Sequence, residues 1–222
     1  ALDGVDFAVA SGEAVGIVGP NGAGKTTLLN VLAGALRPTD GSVVFRGSNV
    51  TTAGVSRRAR LGIARAHQVP RPFGGMTVFE NCFVAATTGG GLRRGDAYDR
   101  CVEVLESCGL GELANRRADT LGLLGRKRLE LARALATNPV VLLLDEIGAG
   151  LTEAEADELV AMIKQLHATG IAVVWIEHIV HVLVQVIHRL VCMDTGRVIA
   201  DGEPQSVMRD ARVIDAYLGG AA

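Results

Sequence analysis

One octapeptide limits what this chain can fold into more than any other feature. Gly19-Pro-Asn-Gly-Ala-Gly24-Lys25-Thr26 reads G-x-x-x-x-G-K-[ST]. The apolar run Ala14 to Val18 precedes it. Lys25 to Leu36 follows it, with Leu28, Leu29, Val31, Leu32 and Ala35 on one broad apolar face of helical period. In a strand, glycine loop and helix of this kind, successive backbone N–H groups turn inward on an anion, and the helix N-terminus points at the same place. Glycine permits the main-chain angles this needs. Lys25 adds a full positive charge, and the Thr26 hydroxyl suits a Mg²⁺ ion riding on the phosphates. The candidate ligand is a nucleoside triphosphate, held by Gly19, Pro20, Asn21, Gly22, Ala23, Gly24, Lys25, Thr26 and Thr27.

The rest of the chain alternates strand and helix. Ser42 to Arg46 reads as a strand after a Thr39-Asp40-Gly41 turn, and Val140 to Leu144 and Ala172 to Ile176 are apolar runs of strand length. Such runs suit a parallel sheet covered on both faces. Glu153 to Ala168 is an amphipathic helix with Thr152 and Glu155 spaced as a capping box. Leu190 to Met193 and Arg197 to Ala200 flank the turn Asp194-Thr195-Gly196 as a hairpin. Between these parts, Thr77 to Ala86, Asp96 to Cys108 and Arg126 to Thr137 all have helical period, and Gly89-Gly90-Gly91 reads as a flexible joint. The strand at Val140 to Leu144 delivers Asp145 and Glu146 at its C-terminal end, where parallel sheets place ligand sites. Asp145 is the candidate metal ligand, and Glu146 the candidate to polarise an attacking water.

The formal net charge of −2 excludes a strongly basic nucleic-acid binder. Arginine clusters at Arg57-Arg58-Arg60, Arg93-Arg94, Arg116-Arg117 and Arg126-Lys127-Arg128 lack interleaved aromatics, so they read as solvated faces or protein contacts. Cys82, Cys101, Cys108 and Cys192 form no CxxC pair and read as buried small apolar residues of a reducing compartment. No leader-like segment is visible. The apolar stretch from Ile171 to Met193 is broken by Glu177, His178, His181, His188 and Arg189, so it reads as strand, turn, helix and strand rather than as a membrane span.

Over nearly its whole length the chain resembles the ATP-binding subunits of ABC transporters. The motifs occur in the family's order: the phosphate loop, Gln68, a helical segment, Leu121 to Arg128, Asp145-Glu146 and His178. The phrases Gly74-Gly-Met-Thr-Val-Phe-Glu-Asn81, Asp145-Glu-Ile-Gly-Ala-Gly-Leu151, Ile176-Glu-His178 and Val213-Ile-Asp-Ala-Tyr-Leu218 resemble the branched-chain amino acid importer subgroup. The resemblance implies an α/β fold of P-loop NTPase type: a mainly parallel sheet, an N-terminal antiparallel β subdomain and an inserted α-helical subdomain. It implies one nucleotide-binding domain over 1–222, with 1–68 and 138–222 as the α/β core and about 69–137 as the helical insert. It also implies an ATPase with ATP and Mg²⁺ as ligands. Glu146, His178 and Gln68 would be catalytic, and Thr26, Gln68 and Asp145 would hold the metal.

The implied partners are a second nucleotide-binding subunit, transmembrane permease subunits docked near Pro70 to Val78 and, indirectly, an extracytoplasmic solute-binding protein, with no nucleic acid. The implied location is peripheral, on the cytoplasmic face of the plasma (inner) membrane. The alternatives are a soluble ATPase of the same type, or a nucleotide-gated module with weak hydrolysis. Three positions depart from the family. Its signature L-S-G-G-Q aligns with Leu121-Gly122-Leu123-Leu124-Gly125, which lacks the serine hydroxyl meant for the partner's ATP. Thr152 replaces an aspartate. Phe7 is too close to Gly19 to stack on adenine, so that aromatic is expected upstream of residue 1.

Overall fold

The computed structural model describes residues 2–218. Residues 2–13 lie outside any strand and pack on the core through Leu2, Val5, Phe7 and Val9. Strand β1 (Ala14–Val18) is wholly buried and leads through the glycine loop into α1 (Lys25–Ala33). Helix α1 stops three residues short of Leu36 because Gly34 turns left-handed, with φ of 77°, and its N–H bonds back to Asn30 and Val31. A short hairpin of β2 (Val44–Phe45) and β3 (Ser48–Asn49) forms a small antiparallel sheet. It occupies only the centre of the strand expected at Ser42 to Arg46.

Two elements then follow that have no clear apolar period, α2 (Val55–Leu61) and β4 (Ile63–Ala66). From there to the next strand the regular elements are helices joined by irregular segments. Thr77 caps α3 (Val78–Val84), which widens into a π-helical turn over Ala85–Gly89. Next come α4 (Arg94–Ser107) and α5 (Leu123–Ala136). Gly90 is packed rather than free: a Cβ there would sit 2.8 Å from the Ala86 carbonyl and 3.0 Å from Thr137 Cα.

The second half runs β5 (Val141–Asp145), α6 (Glu153–Ala168), β6 (Ala172–Ile176), α7 (Val180–Leu183), β7 (Arg189–Asp194), β8 (Arg197–Gly202), α8 (Pro204–Met208) and α9 (Ala211–Leu218). The expected capping box is present: Thr152 accepts from the Glu155 N–H, and the Glu155 carboxylate accepts from the Thr152 N–H. Capping is thus a physical role for the threonine that departs from the family pattern.

The main sheet has the order β4-β5-β6-β1-β7-β8. Its first five strands are parallel, and β8 returns antiparallel to β7. Alternate strand residues feed two apolar layers. Leu142, Leu144, Val173 and Trp175 face one layer with α5 and α6, whereas Val15, Ile17, Leu143, Val174 and Ile176 face the other with α1. Both faces are covered, as a parallel sheet requires. All four cysteines are buried, and burial raises the Cys101 and Cys192 thiols to about 11 and Cys108 to about 12. Among the described residues no helix is long and apolar enough to cross a membrane.

Candidate functional site

The strand order decides what meets what. Strands β4, β5, β6 and β1 are consecutive neighbours, and the register pairs Ala66 with Leu144, Asp145 with Ile176, and Ile17 with Ile176. Their C-terminal ends therefore lie side by side. Gln68 follows β4, Asp145 ends β5 with Glu146 next, Glu177 and His178 follow β6, and the glycine loop follows β1.

The loop has the form an anion site needs. Gly24 stands before α1 with φ of 100° and offers no side-chain cap, and the first turn of α1 carries no acidic residue. The N-terminal amides of this helix are left for a ligand. Gly19 admits no other residue, because a Cβ there would fall 2.0 Å from the Met193 carbonyl oxygen. The Lys25 ammonium is buried and donates to the carbonyls of Gly19 at 2.6 Å and Pro20 at 3.0 Å. Burial lowers its pKa, while the charges of Glu146, Cys192 and Asp145 act in the opposite direction. Asn21, Gly22 and Thr26 are exposed.

Glu146 sits at the centre. It holds φ at 47°, in the left-handed region that side chains other than glycine rarely adopt. Gln68 Nε2 donates to its Oε2 at 2.6 Å, and His178 Nε2 lies 2.8 Å from its Oε1. Residues 32 and 78 positions away thus converge on one carboxylate. Asp145 is buried and its Oδ2 receives Arg65 Nη2 at 2.6 Å; Arg65 Nη1 donates to Asn30 on α1. Arg65 and Asn30 were not evident from sequence, since a lone arginine in Ile63-Ala-Arg-Ala66 hides a four-residue strand. Among the described residues, Thr26 Oγ1, Asp145 Oδ1 and Gln68 Oε1 make no hydrogen bond to protein. They are hard oxygen donors, the type that suits a small divalent cation.

Supporting contacts also went unforeseen. The buried Glu177 accepts from the Gly148 N–H at 2.7 Å, tying the stretch after Glu146 to the end of β6. Its pKa is raised, first by burial and further by the nearby Glu146. The buried Lys127 on α5 reaches the Gln68 carbonyl at 3.4 Å. Leu121 to Gly125 hydrogen-bond to none of these groups among the described residues. Helix α5 starts three residues earlier than Arg126, so Gly122 is its N-cap residue, Leu121 is buried beneath it, and Leu123 is exposed beside Gly150.

A family model described as ABC transporter matches residues 2–149. This chain belongs to that family. It is an ATP-binding cassette and an ATPase. A second model, described as branched-chain amino acid ATP-binding cassette transporter, matches residues 197–222 of the cassette. The cassette is 37% identical over 238 residues to the high-affinity branched-chain amino acid transport ATP-binding protein LivG of Escherichia coli strain K12, covering 100% of this chain and 92% of the relative. Its fold matches the ADP conformation of MJ1267, an ATP-binding cassette of an ABC transporter, with a TM-score of 0.89 and 32% identity over 98% of this chain and 92% of that one. It also matches the dimeric post-hydrolysis state of the cassette MJ0796 bound to ADP and Pi, with a TM-score of 0.80 and 25% identity over 91% and 90% of the two chains.

Proposed function

We propose that this cassette drives solute import by hydrolysing ATP, with Glu146 as the group that polarises the attacking water. The observation that carries this reading is the convergence of Gln68 and His178 on the Glu146 carboxylate at the mouth of the glycine loop. The backbone amides of Gly22 to Thr27 and the Lys25 ammonium bind the triphosphate. Glu146 accepts the proton of a water whose oxygen bonds to the γ-phosphorus. The bond to the β–γ bridging oxygen breaks, and ADP and phosphate form. His178 orients the γ-phosphate and shares the Glu146 carboxylate with Gln68. Thr26, Asp145 and Gln68 are the residues to hold Mg²⁺, which supplies Lewis-acid neutralisation of phosphate charge when bound. Arg65 fixes Asp145 with one carboxylate oxygen committed and the other free.

In this reading two cassettes face each other head to tail, and Leu121 to Gly125 of one covers the ATP of the other. ATP binding closes this pair and hydrolysis lets it reopen, because ATP binds the closed pair better than the open one. Val69, Phe73 and Met76 expose apolar side chains on the irregular segment between β4 and α3, which supports docking of a transmembrane permease there. The cassette then works peripherally on the cytoplasmic face of the inner membrane, and meets a solute-binding protein only through the permease. The relatives' names and the model over residues 197–222 favour branched-chain amino acids or a related polar solute as cargo.

Two variants test the chemistry. Glu146→Gln is expected to keep Mg-ATP binding and to lose turnover by about a hundredfold or more. Lys25→Ala is expected to lose nucleotide binding. Wild-type turnover in Glu146→Gln would assign the base elsewhere, and wild-type binding in Lys25→Ala would remove the loop from the site.

A further inference from the structure

The first residue of the glycine loop is held from the far end of the chain. The Gly19 N–H donates to the phenolic oxygen of Tyr217 at 2.9 Å, across 198 positions of sequence. The parallel ladder of β1 ends at Val18, opposite Cys192. Gly19 is therefore the first amide beyond the sheet, and Tyr217 replaces the strand partner it lacks. The other sides of Gly19 are fixed as well. Its carbonyl accepts from Lys25 Nζ at 2.6 Å, and its Cα lies so close to β7 that an added Cβ would meet the Met193 carbonyl at 2.0 Å.

Tyr217 is delivered by a firm local structure. Glu203 caps α8 by accepting from the Gln205 and Ser206 amides, and Pro204 opens that helix. Helix α9 packs on β8 and is anchored by Val213, which is 1% exposed. Tyr217 is itself 42% exposed, and its neutral hydroxyl accepts from the Gly19 N–H.

We infer that Tyr217 is a positioning residue for the nucleotide site: its hydroxyl latches Gly19 and so presets the loop amides and Lys25 for the triphosphate. A loop fixed in advance loses less conformational freedom when the ligand arrives. The latch acts on binding rather than on the phosphoryl-transfer step, because Tyr217 hydrogen-bonds to the loop's entry and, among the described residues, to none of Gln68, Glu146 or His178. The inference rests on the reading that this loop binds ATP.

The test uses the full chain and Tyr217→Phe, which keeps the ring and deletes only the hydroxyl, with Tyr217→Ala as the second variant. Mg-ATP and Mg-ADP are titrated, amide exchange of Gly19 is followed in the nucleotide-free protein, and thermal unfolding is recorded. The expected result for Phe is nucleotide binding weakened about three- to tenfold, the scale of one neutral hydrogen bond, with the thermal midpoint lowered by no more than about 4 °C and Gly19 exchange accelerated. Steady-state turnover should show a raised KM with kcat retained. Three results overturn the latch: Phe binds nucleotide as the wild type does while only Ala weakens it, Gly19 exchange is unchanged in Phe, or kcat falls while binding holds. A wild-type chain that binds no Mg-ATP overturns the nucleotide-site reading as well.

Discussion

At the scale of single residues, the site is organised around charges placed where they are costly to hold. Glu146 has a strained backbone and both carboxylate oxygens engaged. Strain of this kind persists only where surrounding contacts over-determine it, and here the bond from the Glu146 N–H to the Ile176 carbonyl helps to do so. Glu177 is a second acid kept out of water beside it. Its raised pKa means that the folded chain binds more protons than the unfolded one between the ordinary value of 4.5 and the raised value. Its contribution to stability therefore falls as pH rises through that window and recovers as pH drops. Urea unfolding of wild type and Glu177→Gln checks this: the stability difference should shift in favour of wild type on going from neutral pH towards pH 4.5. A difference independent of pH would mean that Glu177 titrates normally in the fold.

At the scale of elements, the strongest departure from the sequence reading is α2. Its arginines read as a solvated cluster, yet Arg58 is fully buried. Its guanidinium donates to the carbonyls of Val31 and Leu32 at the end of α1, to Val50 and, through Nε, to Ala53. A cation at a helix C-terminus satisfies orphan carbonyls and complements the dipole. Arg58→Ala should destabilise the chain by about 3 kcal/mol, because several buried carbonyls lose their donor at once. Denaturant unfolding measures this, and a loss within error of zero would show that water replaces the guanidinium freely. Arg58 also shows why part of the fold was hidden. The glycine loop, β5, β6 and α6 carry their period and caps in the sequence, and α6 begins and ends where that pattern predicts. Strand β4 and helix α2 are short, interrupted by arginines and stabilised by partners distant in sequence, so no local pattern marks them. The site was legible to the same degree: Lys25, Asp145 and Glu146 follow from motif and strand end, whereas Arg65, Glu177 and Tyr217 depend on which strands and helices become neighbours.

At the scale of the whole molecule, the proposed head-to-tail pairing makes the half-site at Leu121 to Gly125 weaker than the one at the glycine loop. The loop, Glu146 and His178 match the family's motifs, but Gly122 lacks a hydroxyl at the start of α5 and Leu123 and Leu124 put bulk where the family has glycine. The structure leaves Gly122 exposed with no side-chain cap, so a serine hydroxyl there would face solvent or a partner. In the assembled transporter, the triple variant Gly122→Ser, Leu123→Gly and Leu124→Gly should raise turnover about tenfold or more, the scale of restoring one oriented donor to a developing phosphate charge. Unchanged turnover would mean that the α5 amides already suffice.

The helical stretch between β4 and β5 leaves and rejoins the sheet through adjacent parallel strands, and the Gly62 carbonyl receives both the Val140 and Val141 amides where the return begins. Lengthening the exposed loops of a segment that departs and comes home at one spot costs the remainder of the molecule little, provided α5 stays packed on the sheet. Under the proposed docking, the loops that would meet the permease are thus free to diverge from relative to relative, an adaptor on an engine that has no need to change.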